Sequence, residues 1–230
     1  MDTVGVSGVR VSAQEVAERA PRLRGWLHLG ASPLALIGGL VLALASPDAR
    51  TQVGSAIFTA AALLNFLASA ALHLGSWPPR AAPYVRRIDH ASIFVLIAGS
   101  YTPFTLLMLT VPHQVVLLWL AWGGATLGVV FRLVWSTAPR WLYTMLYLVL
   151  GWGSVLFLTD FADYTPIAVP LLLAAGGALY TAGGVVYAVR RPNPSPGWFG
   201  FHEVFHALTI AAFACQYAGV LIATISRRPG

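Results

Sequence analysis

The sequence predicts an all-α integral membrane protein, a bundle of seven transmembrane helices. Of its 230 residues, 57% are apolar and only 10% are charged, whereas soluble chains have roughly half and a quarter. Seven apolar stretches each have the roughly 20 residues that a helix needs to cross a bilayer core about 30 Å thick. These runs are continuous, so the short alternating segments of a membrane β-barrel are excluded.

The seven predicted spans follow one another with short connections. They occupy residues 26–46, 52–77, 88–110, 114–135, 140–160, 165–189 and 200–225. The connections are too short to hold a soluble catalytic module, so residues 26–225 are predicted to form a single transmembrane domain.

Polar tails flank this domain. Residues 226–230 form a C-terminal tail, and residues 1–25 form an N-terminal tail that we expect on the cytoplasmic surface. Within the first tail, Ser12 and Glu15 have the spacing of a capping box, which predicts a short helix that ends before Pro21.

Arginine alone sets the predicted orientation, because the chain contains no lysine. Eleven arginines fall in the N-terminal tail and in the second, fourth and sixth connections: Arg10, Arg19, Arg22, Arg24, Arg80, Arg86, Arg87, Arg132, Arg140, Arg190 and Arg191. The opposite side has three, namely Arg50, Arg227 and Arg228. Cytoplasmic flanks carry the basic excess, so the N-terminus is predicted in the cytoplasm and the C-terminus outside. Arginines spread between apolar runs do not form a nucleic-acid-binding patch.

Two spans carry polar residues at helical spacing on one face. In the second span, Asn65, Ser69 and His73 are four residues apart and share a face. Interhelical hydrogen bonding is the simplest interpretation of that stripe alone. In the seventh span, His202 and His206 are also four apart, a spacing with which two imidazoles grip one metal ion.

A carboxylate completes the candidate site. Asp89 opens the third span at the same predicted cytoplasmic level, where a helix N-cap or an ion pair with Arg86 or Arg87 would also explain it. The alternation of spans lets Asp89 approach the three histidines of the second and seventh spans. Three imidazoles leave a fourth position for water, which is the ligand count of catalytic zinc.

Three other residues have competing interpretations. The motif His202-Glu203-Val-Phe-His206 also fits H-E-x-x-H, in which Glu203 would be the general base of a metalloprotease. No further ligand of the extended motif follows it, so His73 is the better third ligand. His90 is expected at the interface or beside the site, and His28 in the headgroup zone, neither as a ligand.

The chain resembles the bacterial haemolysin III family, within the progestin and adipoQ receptors that include the adiponectin receptors. Four segments carry the resemblance: Pro21-Arg-Leu-Arg-Gly-Trp26, Ser69-x-x-x-His73, Asp89-His90 followed by Ile97-Ala-Gly-Ser-Tyr-Thr-Pro103-Phe104, and His202-Glu-Val-Phe-His206. It implies a multi-pass protein of the bacterial plasma membrane with zinc on His73, His202 and His206. It also implies that Asp89 holds the zinc-bound water and that Ser69 lies beside the site.

The resemblance also bears on activity. Adiponectin receptors, which are linked with ceramidase activity, carry glutamine at the position of Glu203. A zinc-dependent hydrolase of a lipid amide or ester is therefore expected, in which Asp89 orients or deprotonates water and Ser69 supports the oxyanion. Two alternatives stay open: a lipid sensor with structural zinc, and the haemolytic, pore-forming activity that the family name suggests. The expected partner is membrane lipid, such as a ceramide-like amide, and not nucleic acid.

Overall fold

The structure is a computed structural model that describes residues 21–157 and 166–227. The short helix predicted around Ser12 and Glu15 lies outside the described residues, as do residues 228–230 of the C-terminal tail.

Seven α-helices form in the described residues, as the sequence predicts. They are α1 (Trp26–Ala45), α2 (Ala49–Leu74), α3 (Ala82–Met108), α4 (Val111–Val134), α5 (Arg140–Gly151), α6 (Ala168–Val189) and α7 (Phe201–Ser226). Six of them, all except α5, are long and apolar enough to cross a membrane. In the described part of the chain no β-strand forms, although Ser195 and Phe199 make a single bridge.

The fifth helix is shorter than the predicted 140–160 span. After 12 α-helical residues the chain tightens into a 3-10 segment, Trp152–Phe157. The side chain of Tyr101 contacts the chain at the point where the α-helix changes to the 3-10 segment. Its hydroxyl donates to the carbonyls of Leu150 and Gly151 and accepts from the Ser154 N–H. At about 1.5 Å per α-helical and 2.0 Å per 3-10 residue, the two pieces add up to about 30 Å, the thickness of a bilayer core.

Two further boundaries differ from the prediction around the second connection. Helix α2 ends at Leu74, and the indole N–H of Trp77 then donates to the carbonyl of Ala71 at 2.8 Å. Helix α3 begins at Ala82, six residues before its predicted start, with Pro83 in its first turn. Proline is favoured there because its missing N–H has no partner in a helix's first turn.

The helices pack as a closed bundle around α3. Each of the first four packs on the next in sequence, α6 packs on α7, and α1 meets α7 to close the ring. Helix α3 is the most buried of the long helices and also contacts α5 and α7. We call the end where α1, α3, α5 and α7 begin the site end, because five of the six histidines lie there.

Candidate metal centre

Three histidines converge at the site end. His73 lies in the last turn of α2, and His202 and His206 lie in the first two turns of α7. Each of the three offers a ring nitrogen within 4.8 Å of the others. His206 is buried, whereas His73 and His202 are half-buried. Residues that the sequence separates by 129 positions therefore form one group able to hold a metal ion.

The spacing of these rings suits a tetrahedral ion. The Nε2 atoms of His73 and His202 are 3.0 Å apart, and two nitrogens bound at about 2.0 Å to one tetrahedral zinc are about 3.3 Å apart. The ring centroids of His202 and His206 are 4.5 Å apart. Imidazole nitrogens are donors that zinc binds readily.

The first turn of α7 is anchored by Glu203. This carboxylate is fully buried: its Oε2 accepts from the N–H of Gly200 at 2.8 Å, and its Oε1 accepts from the guanidinium of Arg24 at 3.0 Å. Both oxygens are thus engaged in holding the helix start and the chain before α1. This geometry disfavours the metalloprotease interpretation, which needs a free carboxylate beside the metal.

The residues just before α1 pack against His73 and against the segment that leads into α7. Backbone N–H groups of Arg22 and Leu23 donate to the carbonyls of Gly197 and Trp198. Gly25 adopts a positive φ of 83°, and a Cβ added there would lie 2.9 Å from the Cβ of His73. A side chain at residue 25 would therefore strain the backbone and press on the side chain of His73.

Ser69 and Asp89 lie beside the histidines. The Ser69 hydroxyl is 3.5 Å from Nε2 of His206 and also interacts with the carboxyl group of Asp89. Both residues are buried, and so is Asn65, whose amide donates to the hydroxyl of Ser92 on α3 at 3.0 Å. The polar stripe of the second span therefore faces the bundle interior. The structure brings Ser69, Asp89 and the three histidines to one place.

The expectation for His28 was wrong. Instead of lying in the headgroup zone, His28 is 2% exposed, and its ring stacks on that of His206 with centroids 3.9 Å apart. A signal was present in the sequence, because small residues follow His28 at helical spacing on a face that proves to be buried: Ala31, Ser32, Ala35 and Gly39. Small residues at this spacing mark a helix face that packs closely on its neighbours.

His90 lies beside the site, within the alternatives that the sequence left open. Its Nδ1 faces the guanidinium of Arg132 at 3.1 Å, and its Nε2 faces the hydroxyl of Tyr187 at 3.2 Å. Arginine can only donate, so Nδ1 is the acceptor and the ring proton belongs on Nε2. Arg132 is itself buried over the ring of Tyr143. In the sequence Arg132 counts only toward orientation, and no pattern around it predicts its burial.

An apolar cavity runs from the histidines into the bundle. Its site end is bounded by His28, Ser69, Asp89, His202 and His206. Helices α3, α5, α6 and α7 form its walls, which include Leu96, Ile97, Phe104, Leu148, Leu173 and Phe205. From His202 to Gln216 it follows 14 residues of α7, about 21 Å at 1.5 Å per residue.

Comparison with known proteins gives a consistent result. The family model described as "Haemolysin-III related" matches residues 17–217. The chain is 30% identical over 188 residues to the "Hemolysin-3 homolog" of Bacillus subtilis (strain 168), which covers 81% of this chain and 84% of that protein. It is also 30% identical over 188 residues to "Hemolysin-3" of Bacillus cereus, covering 81% and 82%. Together with six apolar helices long enough to cross a membrane, these matches show that the chain is a multi-pass bacterial membrane protein and belongs to the haemolysin III family.

Proposed function

We propose that this protein is a zinc-dependent hydrolase of a membrane lipid, acting on an amide or ester bond. The observation that carries the proposal is the placement of His202, His206, Ser69 and Asp89 at one end of a long cavity, with His73 near enough to share a metal ion with the other two histidines. A structural clamp needs the histidines, but it needs neither a buried carboxylate beside them nor a cavity leading away from them.

The protein groups have complementary roles in hydrolysis. Zinc on the three imidazoles would polarise the substrate carbonyl and make water acidic enough to attack it near neutral pH. Asp89 accepts the proton of the attacking water and passes it to the nitrogen or oxygen that leaves as the C–N or C–O bond breaks. The Ser69 hydroxyl donates a hydrogen bond to the carbonyl oxygen as negative charge develops there.

The cavity supports a lipid as substrate. Most of the surface of its walls is apolar, and its histidines and Asp89 all lie at the site end. An acyl chain lying along α7 would bury its methylene groups and bring its head carbonyl to the histidines. A ceramide-like amide fits this arrangement, as does an acyl ester.

The test is turnover in purified protein carrying Asp89→Asn. Wild-type protein in detergent with one equivalent of zinc is incubated with a ceramide, a simple N-acyl amine and a phospholipid, and released fatty acid is measured. We expect release from at least one lipid, and a loss of about 100-fold or more in Asp89→Asn, since general acid–base catalysis contributes about 10²–10⁴-fold. The zinc content of the variant should stay at the wild-type value.

Thr105→Val is the matched control, because Thr105 is another buried hydroxyl of α3, lies 16 residues from Asp89 and donates to the backbone carbonyl of Tyr101. It should keep most of its turnover. Zinc-loaded wild type that releases fatty acid from none of the lipids, or Asp89→Asn that hydrolyses normally, would contradict the proposal and favour the structural clamp.

A further inference from the structure

Two polar side chains line the apolar cavity deep in the bundle, far from the histidines. Tyr180 of α6 and Gln216 of α7 both line its inner part. Gln216 is only 8% exposed. Among the described residues, the Tyr180 hydroxyl and the Gln216 Oε1 atom are buried and have no hydrogen-bond partner.

The geometry of α6 and α7 brings these two groups together. A Cβ added at Gly176, one turn before Tyr180, would lie 3.3 Å from the Cγ of Gln216. Helical side chains lean toward the N-terminus of their own helix. Because α6 and α7 run in opposite directions, the Tyr180 ring leans toward Gln216, and the Gln216 amide leans toward Tyr180.

Their chemistry defines what can bind between them. A phenol can donate its proton, and an amide oxygen can only accept one. One ligand group that accepts from Tyr180 and donates to Gln216 satisfies both, and a hydroxyl group does so with a single oxygen. An unpaired polar atom is costly in the hydrocarbon region, so this pair favours a partner. The hydroxyl could belong to a lipid or to a trapped water molecule.

We propose that Tyr180 and Gln216 form a subsite for a hydroxyl group on the alkyl chain of a bound lipid. The ten residues from His206 to Gln216 correspond to about 15 Å of α7, the length of a chain of about twelve carbons. A lipid whose head carbonyl is at the histidines therefore carries the hydroxyl near the middle of a long acyl chain. The inference rests on the proposed function for the position of the head, but it concerns binding and not turnover.

The test is competition binding on zinc-loaded protein in detergent, with radiolabelled stearate as the probe. Unlabelled stearate, 12-hydroxystearate and 12-methoxystearate are compared as competitors. We expect 12-hydroxystearate to compete at about tenfold lower concentration than stearate, because it makes two new buried hydrogen bonds. The methyl ether accepts but cannot donate, so it should recover only part of that advantage.

Variants locate the preference in the protein. Tyr180→Phe and Gln216→Leu should each lose most of the preference for the hydroxylated chain, and each should bind stearate at least as tightly as wild type does, because an unpaired polar atom is removed. Tyr217→Phe is the matched control: the same atom is removed from the next residue of α7, whose ring instead lies against Gly38 of α1. This control should keep the wild-type preference.

The outcomes separate this inference from the proposed function. Equal competition by stearate and 12-hydroxystearate in wild type would overturn the inference and assign the subsite to water alone. A preference that survives in both Tyr180→Phe and Gln216→Leu would also overturn it, and so would a failure of stearate to bind. A preference for the hydroxylated chain that depends on both residues supports the inference, even if no lipid is hydrolysed. The absence of hydrolysis would contradict only the proposed function.

Discussion

The imidazole of His28 lies nearly parallel to that of His206, with an angle of 18° between the rings and 3.9 Å between their centroids. The ring of Phe66 stacks on His28 in turn, at 4.9 Å and 30°. His28 is the contribution of α1 to a cluster whose other histidines lie on α2 and α7. A flat contact of this kind restricts the rotation of the His206 ring, and ligand orientation governs metal affinity.

We therefore expect His28→Ala to weaken zinc binding by about tenfold, the lower range for residues that orient metal ligands. His28→Phe keeps a flat ring and should bind zinc nearly as wild type does. Competition with a fluorescent zinc chelator measures both affinities. Unchanged affinity in His28→Ala would show that the stack does not position His206. Equal losses in both variants would instead indicate that a His28 nitrogen itself contacts the metal.

Metal removal should destabilise the wild-type protein. A ligand present at 100 times its dissociation constant stabilises the folded state by about 2.7 kcal/mol. For a chain of this size, we expect chelation to lower Tm by about 5–10 °C in a thermal denaturation of detergent-purified protein. His206→Ala should contain no stoichiometric zinc, and its Tm should not respond to the chelator. A chelator response in His206→Ala as large as that of wild type would exclude His206 as a ligand.

Glu203 should be needed for structure and not for proton transfer. Glu203→Gln retains an oxygen that can accept from Gly200 or Arg24, so we expect zinc content and lipid hydrolysis to persist. Arg24→Ala leaves the fully buried Glu203 carboxylate without its cation, which should cost about 3 kcal/mol of stability. Thermal denaturation and zinc analysis measure the two variants side by side. Loss of turnover in Glu203→Gln with zinc retained would restore Glu203 as a general base.

The orientation predicted from the arginines can be measured by labelling. In a Cys215→Ala background, Arg80→Cys places a thiol in an exposed connection at the site end, and Thr110→Cys places one in an exposed connection at the other end. A membrane-impermeant maleimide applied to intact cells should label Thr110→Cys. It should label Arg80→Cys only after the cells are opened. The reverse pattern would place the site end outside the cell.

The long helices were predictable because hydrophobic length alone determines them. The end of α5 was not predictable. It lies where the chain contacts Tyr101, a residue of α3 that comes close to α5 only when the protein folds. Helix propensity and hydropathy depend only on residues that are close in sequence. The end of α5 lies at a contact with a residue that is distant in sequence.

Some residues of the candidate site were predictable from the sequence, and others were not. The i, i+4 spacings predicted that four residues lie on the inward faces of α2 and α7: Ser69, His73, His202 and His206. Because successive spans alternate in direction, the end of α2 and the start of α7 were also predicted to lie at the same end of the bundle. His28 was missed because a single histidine near a helix start looks the same whether it faces headgroups or the core. The burial of Arg132 was missed because the positive-inside rule counts arginines by connection and carries no information about which side the guanidinium faces.

His73 and His202 are 129 positions apart, on the second and the last helix, and this separation has a consequence for biogenesis. While the chain is being made and inserted, His73 and Asp89 enter the membrane long before their partners on α7 exist. The carboxylate that pairs with Arg24 also arrives only with α7. The three-histidine group is therefore complete only after the final helix has been inserted and has docked on the others. If the group binds a metal ion, a chain that holds the ion through all three histidines is one whose membrane assembly is complete.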